Sequence, residues 1–276
     1  MFEDVNNFVH FRKKGKKMNI FRTKYFFVFL ILSNFFLYAN SGIDLYIDLL
    51  ERTILNTIYE PSPEKDSGNP NHWPTIAHSM IGRPRMDNVV LCCKEVIHNN
   101  IPGDFVETGV WRGGTTILMR GILKAYGIKD RTVWVCDSFE GLPKVDVAHY
   151  PIDAIHTGHH TIEFLKVSLD QVKNNFKLYG LLDDQVKFLK GWFKDTMPKA
   201  PIRKIAVLRL DGDLYESTIQ VLQILYDRVS VGGYIIIDDF CLDAARAATN
   251  DFRKSRNIQD QLIVIDNCGV YWKKTR

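Results

Sequence analysis

The sequence predicts an α/β protein built on a doubly wound, mostly parallel sheet, with N-terminal helices before the sheet and a C-terminal antiparallel hairpin. Two apolar runs, Ile205–Leu208 and Tyr234–Ile237, each stop at or shortly before an aspartate, which is typical of buried parallel strands. Residues 104–125 give a strand, a glycine-rich turn and a helix, the unit that opens many doubly wound sheets. Two further apolar runs flank Asn267-Cys268 and indicate the terminal hairpin.

The composition suits one large globular domain and argues against a nucleic-acid partner. The chain has 276 residues, of which 46% are hydrophobic and 25% are charged. Its formal net charge of +4 comes from one N-terminal run that contains no acid: Arg12, Lys13, Lys14, Lys16, Lys17, Arg22 and Lys24. The remainder is slightly acidic, so it offers no basic surface for DNA or RNA.

Residues 1–41 form a basic and apolar segment that we expect to lie outside the domain, which then covers residues 42–276. The apolar stretch 25–39 is shorter than the ~20 residues of a spanning helix. It resembles a signal-peptide core or an uncleaved anchor, and translation from Met18 is a further alternative. Positive charge before the stretch would export the domain, away from cytoplasmic cofactors, whereas an interfacial membrane anchor or a later start would remove this conflict. We expect a cytoplasmic domain, with membrane association through residues 25–39 left open.

The five cysteines predict reduced, mostly buried thiols. They are Cys92, Cys93, Cys136, Cys241 and Cys268, an odd number without a C-x-x-C pair. Neither a disulfide framework nor a zinc site is expected from this spacing.

The first half of the domain alternates helices and strands. Leu45, Leu49 and Ile54 stand at helical spacing, and a loop rich in proline, serine and asparagine follows at 61–74. The next predicted elements are a helix at 87–99, a strand at 104–107, a helix up to residue 125, a strand at 131–137, a loop at 144–161 and a helix at 162–178. Gly180 is a good stop for the last of these helices.

The second half repeats the alternation. Residues 185–190 predict a third strand with an exit turn at Gly191 and Trp192, and the two acid-terminated runs are the fourth and fifth strands. Helices are expected at 218–229, between those two strands, and at 244–252, before the hairpin.

The glycine-rich turn after the first strand favours S-adenosylmethionine over a dinucleotide. A dinucleotide needs G-x-G-x-x-G, but here the three positions are Gly109, Trp111 and Gly114, so a large ring stands where the pyrophosphate requires space. S-adenosylmethionine has no phosphate, and Glu107 can attract its positive groups. Asp137, at the end of the second strand, can accept the ribose hydroxyls of either cofactor.

Aspartates at the ends of two strands predict a metal site. Asp211 and Asp213 follow the fourth strand, and Asp238 and Asp239 follow the fifth. Parallel strand ends share one edge of the sheet, and a hard divalent cation relieves the repulsion between carboxylates gathered there. The competing interpretation is that Asp211 and Asp239 cap the helices that follow.

Four histidines lie in the predicted loop at 144–161, which should cover this edge of the sheet. They are His149, His156, His159 and His160. We expect a mobile lid with solvated histidines; a zinc site is the alternative, although the spacing differs from helical zinc motifs.

Five stretches in order resemble the macrocin O-methyltransferase family of TylF-type sugar O-methyltransferases. They are Phe105–Gly114, Asp137–Pro143, Lys190–Thr196, Leu210–Thr218 and Gly233–Phe240. The resemblance covers about residues 43–274 and implies a class I Rossmann-like fold with S-adenosylmethionine as the methyl donor. It also implies Mg²⁺ held by Asp211, Asp238 and Asp239, and a general base at Asp213.

We therefore predict an enzyme, an S-adenosylmethionine-dependent and Mg²⁺-dependent O-methyltransferase acting on a hydroxyl of a sugar or glycosylated acceptor. The residues expected to bind the donor are Met80, Glu107, Thr108, Gly109, Val110, Asp137, Ser138, Gly191, Trp192 and Asp211. A nicotinamide-dependent sugar oxidoreductase and a membrane-tethered Ca²⁺-dependent carbohydrate-binding module are the alternatives. A homo-oligomer is also left open.

Overall fold

A seven-stranded sheet with helices on both faces organises residues 42–59 and 73–276, the part of the chain that the computed structural model describes. The strand order is β3-β2-β1-β4-β5-β7-β6. The strands are β1 Asp104–Thr108, β2 Val133–Asp137, β3 Val186–Lys190, β4 Ile205–Leu210, β5 Val229–Ile237, β6 Ile263–Val264 and β7 Val270–Lys273. Strands β1 to β5 run parallel, and β7 pairs antiparallel with both β5 and β6. The predicted doubly wound sheet with a terminal hairpin is confirmed.

The central strands β4 and β5 are mostly apolar on both sides because helices cover both faces of the sheet. The helices are α1 Gly42–Ile54, α2 Gly82–His98, α3 Gly114–Ala125, α4 Leu169–Leu178, α5 Phe193–Thr196, α6 Tyr215–Leu225 and α7 Asp243–Ser255. On one face Phe105, Val207 and Ile236 pack with residues of α1 to α4. Their chain neighbours Val106, Leu208 and Ile235 turn to the other face and pack with α6 and α7. The alternation follows from the two-residue period of a strand.

The segment before α4 differs from the sequence prediction of one helix at 162–178. Three 3₁₀ turns, Pro151–His156, His159–Thr161 and Glu163–Leu165, precede α4, which begins at Leu169. The Ser168 hydroxyl accepts the backbone N–H of Gln171, which caps the helix at that point. The apolar Phe164, counted in the prediction as a helix position, instead stacks on Trp73 with ring centroids 4.7 Å apart.

The prediction of five reduced thiols is wrong, because Cys241 and Cys268 form a disulfide. The antiparallel pairing of β5 with β7 places Ile237 opposite Val270, so the loop after β5 meets the turn before β7. Cys241 N–H also donates to the carbonyl of Cys268 at 3.1 Å. The other cysteines, Cys92, Cys93 and Cys136, are free and buried, as expected.

The N-terminal segment 1–41, with its membrane stretch 25–39, and most of the loop 61–74 lie outside the described residues. Within the described ranges, no helix is both long and apolar enough to cross a membrane.

Candidate active site

A cavity of about 650 Å³ lies at the carboxyl ends of β1, β2, β4 and β5. It brings together the predicted site residues Met80, Glu107, Gly109, Val110, Asp137, Ser138, Gly191, Trp192, Asp211, Asp213, Asp238 and Asp239. Thr108 is the exception: its side chain is buried away from the cavity, and its hydroxyl donates to the carbonyl of Arg209 at 3.5 Å. Residues that are far apart in sequence therefore form one site.

Gly109 allows the loop after β1 to touch the loop after β4. Its φ is +83°, and a Cβ at this position would lie 1.6 Å from the carbonyl oxygen of Asp211. Only glycine accommodates both the positive φ and the close approach. The backbone N–H of Gly109 donates to the carbonyl of Cys136 at 2.9 Å, which fixes the loop against β2.

Asp137 joins the loop after β1 to the loop after β2. Its two carboxylate oxygens accept the backbone N–H groups of Val110 and Phe139, each at 2.7 Å. Burial raises the pKa of Asp137 above its usual value, while these hydrogen bonds act in the opposite direction. Oδ1 also accepts the Ser138 hydroxyl at 3.3 Å, which leaves Oδ2 as the oxygen that can accept a ligand hydroxyl.

Trp111 closes the side of the cavity next to the glycine turn. It has a positive φ of 46°, and its indole N–H donates to the carbonyl of Phe164 at 3.0 Å. The guanidinium of Arg112 lies over its ring, 4.2 Å from the centroid. The Trp111 ring, which counted against a dinucleotide in the sequence, therefore contacts the segment around Phe164 that covers the cavity.

Glu107 offers a buried oxygen to a ligand. Its Oε1 is paired with Arg209, whereas its Oε2 is buried without a hydrogen-bond partner among the described residues. Burial raises the pKa of Glu107 to about 8; Arg209 lowers it, and Asp211 and Asp238 raise it further. An orphaned carboxylate oxygen at a cavity wall suits the ammonium group of S-adenosylmethionine.

Asp211, Asp238 and Asp239 form the cluster that the sequence predicted. One carboxylate oxygen from each lies within 4.8 Å of the others, and no other such group of potential metal ligands occurs in the described ranges. The interpretation of Asp211 and Asp239 as helix caps is wrong, because α6 and α7 begin after Leu214 and Leu242 without a side-chain cap from either aspartate. Asp239 instead accepts the backbone N–H of Asp213 at 3.0 Å.

Two buried arginines complete the cluster, and neither was predicted from the sequence. Arg209, only 1% exposed, contacts Glu107, Asp211 and Asp238. Arg85 of α2 contacts Asp238 at 2.5 Å and Asp266 at 3.1 Å. A charged residue inside the otherwise apolar β4 was the available signal for Arg209, because a buried charge needs partners.

Asp213, the general base expected from the sequence, lies in the cavity beside the aspartate cluster. It lies two residues after Asp211 with a positive φ of 57°, and it lines the cavity. Burial, together with the charges of Asp211 and Asp238, raises the pKa of Asp213 to about 7. A carboxylate with such a pKa can take up a proton near neutral pH.

The histidine-rich lid packs against the domain, and the expectation of solvated histidines is wrong for His156. Asp153, fully buried, accepts the first backbone N–H groups of α6, from Tyr215 at 2.7 Å and Glu216 at 3.1 Å. His156 is 5% exposed, with its Nδ1 3.2 Å from that of His159. His149 remains exposed beside Asp146. The described lid residues form no three-ligand group, so the zinc alternative finds no support.

Comparison with known proteins identifies the family. The profile described as Macrocin-O-methyltransferase (TylF) matches residues 63–274. The chain belongs to the macrocin O-methyltransferase family. Its relatives are named O-methyltransferases, so the protein is an enzyme of this kind, and the oxidoreductase and carbohydrate-binding alternatives are set aside.

Three relatives match almost their whole length. Mycinamicin III 3''-O-methyltransferase of Micromonospora griseorubida is 46% identical over 86% of this chain and 98% of its own. Demethyldecarbamoylnovobiocin O-methyltransferase of Streptomyces niveus is 48% identical over 86% of this chain and 96% of its own. A Streptomyces olivaceus enzyme named for 4'-O-methylation of a rhamnosyl-tetracenomycin C is 47% identical over 84% of this chain and 93% of its own.

Solved structures agree on the architecture. The O-methyltransferase NovP superposes with a TM-score of 0.82 at 49% identity, covering 85% of this chain and 100% of NovP. The calicheamicin methyltransferase CalS11, at 17% identity and a TM-score of 0.55, covers 85% of this chain and 94% of its own and shares the fold. The macrocin O-methyltransferase domain thus has the class I Rossmann-like methyltransferase fold, for which S-adenosylmethionine is the expected donor.

Proposed function

We propose that the protein is a Mg²⁺-dependent O-methyltransferase that transfers the methyl group of S-adenosylmethionine to a hydroxyl of a sugar on a glycosylated small molecule. The observation that carries the proposal is the cluster of Asp211, Asp238 and Asp239, which lines the same cavity as the donor-binding candidates Glu107 and Asp137. The relatives support the acceptor class, since one of their names specifies a rhamnosyl group.

The three aspartates fit a hard divalent cation. Carboxylate oxygens are the ligands that Mg²⁺ prefers, and one from each residue can approach a common point. Arg85 and Arg209 compensate Asp238 and Asp211 only in part, and Asp239 has no ion pair among the described residues. When bound, Mg²⁺ would supply positive charge that orients a sugar hydroxyl and lowers its pKa.

Other residues would bind the donor, remove the hydroxyl proton and exclude water. Methyl transfer requires the acceptor oxygen and the methyl carbon in line, and it requires removal of the hydroxyl proton. Glu107 and Asp137 would hold the ammonium and ribose ends of the donor, and Trp192 would stack on its adenine. Asp213 would take the proton. The lid, held by Asp153, would exclude water from the cavity.

We also propose a cytoplasmic location, because S-adenosylmethionine is available there. Membrane association through residues 25–39 and homo-oligomerisation stay predictions.

The test is methyl transfer to paired acceptors. The full chain would be incubated with S-adenosylmethionine labelled in its methyl group and each of the glycosylated compounds in the relatives' names. The corresponding aglycones are the matched controls. We expect label in at least one glycoside and in no aglycone, and acid hydrolysis should release it with the sugar. Label that stays with the aglycone would contradict the proposed acceptor class.

A further inference from the structure

Arg209 does not line the cavity, but it contacts Glu107 on the proposed donor side and Asp211 and Asp238 on the proposed metal side. On β4 it is in register with Glu107 of β1 and with Ile236 of β5, so the side chains of all three point to the same face of the sheet. Two residues further on, Asp211 and Asp238 return to that face at the carboxyl end of the sheet. Strand register alone therefore gathers three acids around one arginine.

The guanidinium of Arg209 contacts all three acids. Nη1 contacts Oε1 of Glu107 and, at 2.9 Å, Oδ2 of Asp211, while Nη2 contacts Oδ1 of Asp238. Arg209 is almost completely buried, so water cannot replace these partners. The planar fork of arginine can hold several carboxylates in fixed directions, which the single ammonium of lysine cannot do.

Because the Arg209 guanidinium pairs with all three acids, the strength of its ion pair with Glu107 depends on the two aspartates. Asp211 and Asp238 repel Glu107 and also compete with it for Arg209. A divalent cation bound to these aspartates would remove the repulsion and leave more of the guanidinium to Glu107. Oε1 of Glu107 would then be held on Nη1 of Arg209, with Oε2 available to the donor ammonium.

We propose that Arg209 is a positioning residue that links the two half-sites, so that a divalent cation and the methyl donor each strengthen the binding of the other. The inference rests on the proposed function, because it requires a metal at Asp211, Asp238 and Asp239 and a donor at Glu107. Linkage is reciprocal: the metal must tighten donor binding by the same factor as the donor tightens metal binding.

Calorimetric titration of the full chain tests the linkage without turnover. The probes are S-adenosylhomocysteine, whose uncharged sulfur limits direct repulsion from a metal, and Mn²⁺ in place of Mg²⁺. We expect saturating Mn²⁺ to lower the dissociation constant of S-adenosylhomocysteine by at least about fivefold, the lower end of typical couplings. Mn²⁺ affinity, followed by electron paramagnetic resonance, should rise by the same factor when S-adenosylhomocysteine is present.

Two lysine variants form a matched pair. Arg209→Lys keeps the charge but loses the fork, and the linkage should fall below about twofold. Arg120→Lys changes another buried arginine, whose fork holds Asp183 away from the residues that line the cavity, and the linkage should stay within about twofold of the wild-type factor. Glu107→Gln supports the same test if Arg209→Lys does not fold, because S-adenosylhomocysteine binding should then become independent of Mn²⁺.

The outcomes separate the inference from the function on which it rests. A wild-type protein that binds S-adenosylhomocysteine but not Mn²⁺ would overturn the proposed metal site and the linkage with it. Independent binding of both ligands would overturn the linkage alone. The positioning role of Arg209 would be contradicted by wild-type linkage in Arg209→Lys or in Glu107→Gln. An equal loss of linkage in Arg120→Lys would contradict it as well.

Discussion

The substitution Asp137→Asn tests whether this carboxylate joins the loop after β1 to the loop after β2. The carboxylate accepts Val110 N–H and Phe139 N–H through different oxygens, each at 2.7 Å. An asparagine of the same shape has one acceptor oxygen, and its amide N–H₂ would face the other donor. At least one charge-assisted hydrogen bond is lost, at a cost of about 1.5–3 kcal/mol. For a chain of this size that corresponds to a fall in Tm of about 3–12 °C.

Thermal denaturation followed by circular dichroism would measure this change, and calorimetry would measure the affinity for S-adenosylhomocysteine. We expect both stability and affinity to fall. The exposed Asp184 provides the control, since Asp184→Asn should shift stability by less than about 0.5 kcal/mol. Weaker affinity with an unchanged Tm would refute the joining role and leave Asp137 as a ribose acceptor only. An unchanged affinity and Tm would make Asp137 dispensable.

Three further predictions follow from the site. Asp213→Asn should reduce turnover by about 10²–10⁴-fold in a methyl-transfer assay, because it removes the proton acceptor but leaves Mn²⁺ and S-adenosylhomocysteine affinities nearly constant in calorimetry. Gly109→Ala should weaken S-adenosylhomocysteine binding and lower the Tm, because its Cβ would lie 1.6 Å from the Asp211 carbonyl oxygen. Reduction of the Cys241–Cys268 disulfide, which spans a sequence separation of 27, should lower the urea-unfolding free energy by up to about 3.5 kcal/mol.

For each of these three predictions, one result would contradict it. Rescue of Asp213→Asn by excess Mg²⁺ would mean that Asp213 shares the metal role, and a lid histidine such as His156 would become the better proton acceptor. Wild-type affinity in Gly109→Ala would contradict the close approach of the two loops. Thiol titration of the denatured, unreduced protein should find three free cysteines; five would contradict the disulfide.

The strand ends were predictable from sequence because the signals are local. Apolar runs that stop at acids specify buried parallel strands, and parallel strands deliver their carboxyl ends to one edge. That reasoning placed Asp211, Asp213, Asp238 and Asp239 at a common edge, and the cavity contains all four. Thr108 was included because it is in the same motif, but strand alternation turns its side chain away from the cavity.

The contacts that the sequence analysis missed depend on register and on long-range pairing. Arg209 contacts Glu107 only because β4 and β1 pair in the observed register. Cys241 meets Cys268 only because β7 runs antiparallel beside β5. Asp153 caps α6 from a segment that has no helical or strand periodicity of its own. None of these contacts can be predicted from the spacing of residues within a short stretch of sequence.

The central claim is that the three aspartates hold a metal that methyl transfer requires. Its most direct test is transfer from labelled S-adenosylmethionine to an accepted glycoside before and after treatment of the wild-type protein with EDTA, with the metal content verified by elemental analysis. We predict that transfer stops on chelation and returns when Mg²⁺ is added. Full activity in verified metal-free protein would contradict the claim and remove Asp211, Asp238 and Asp239 from the list of metal ligands.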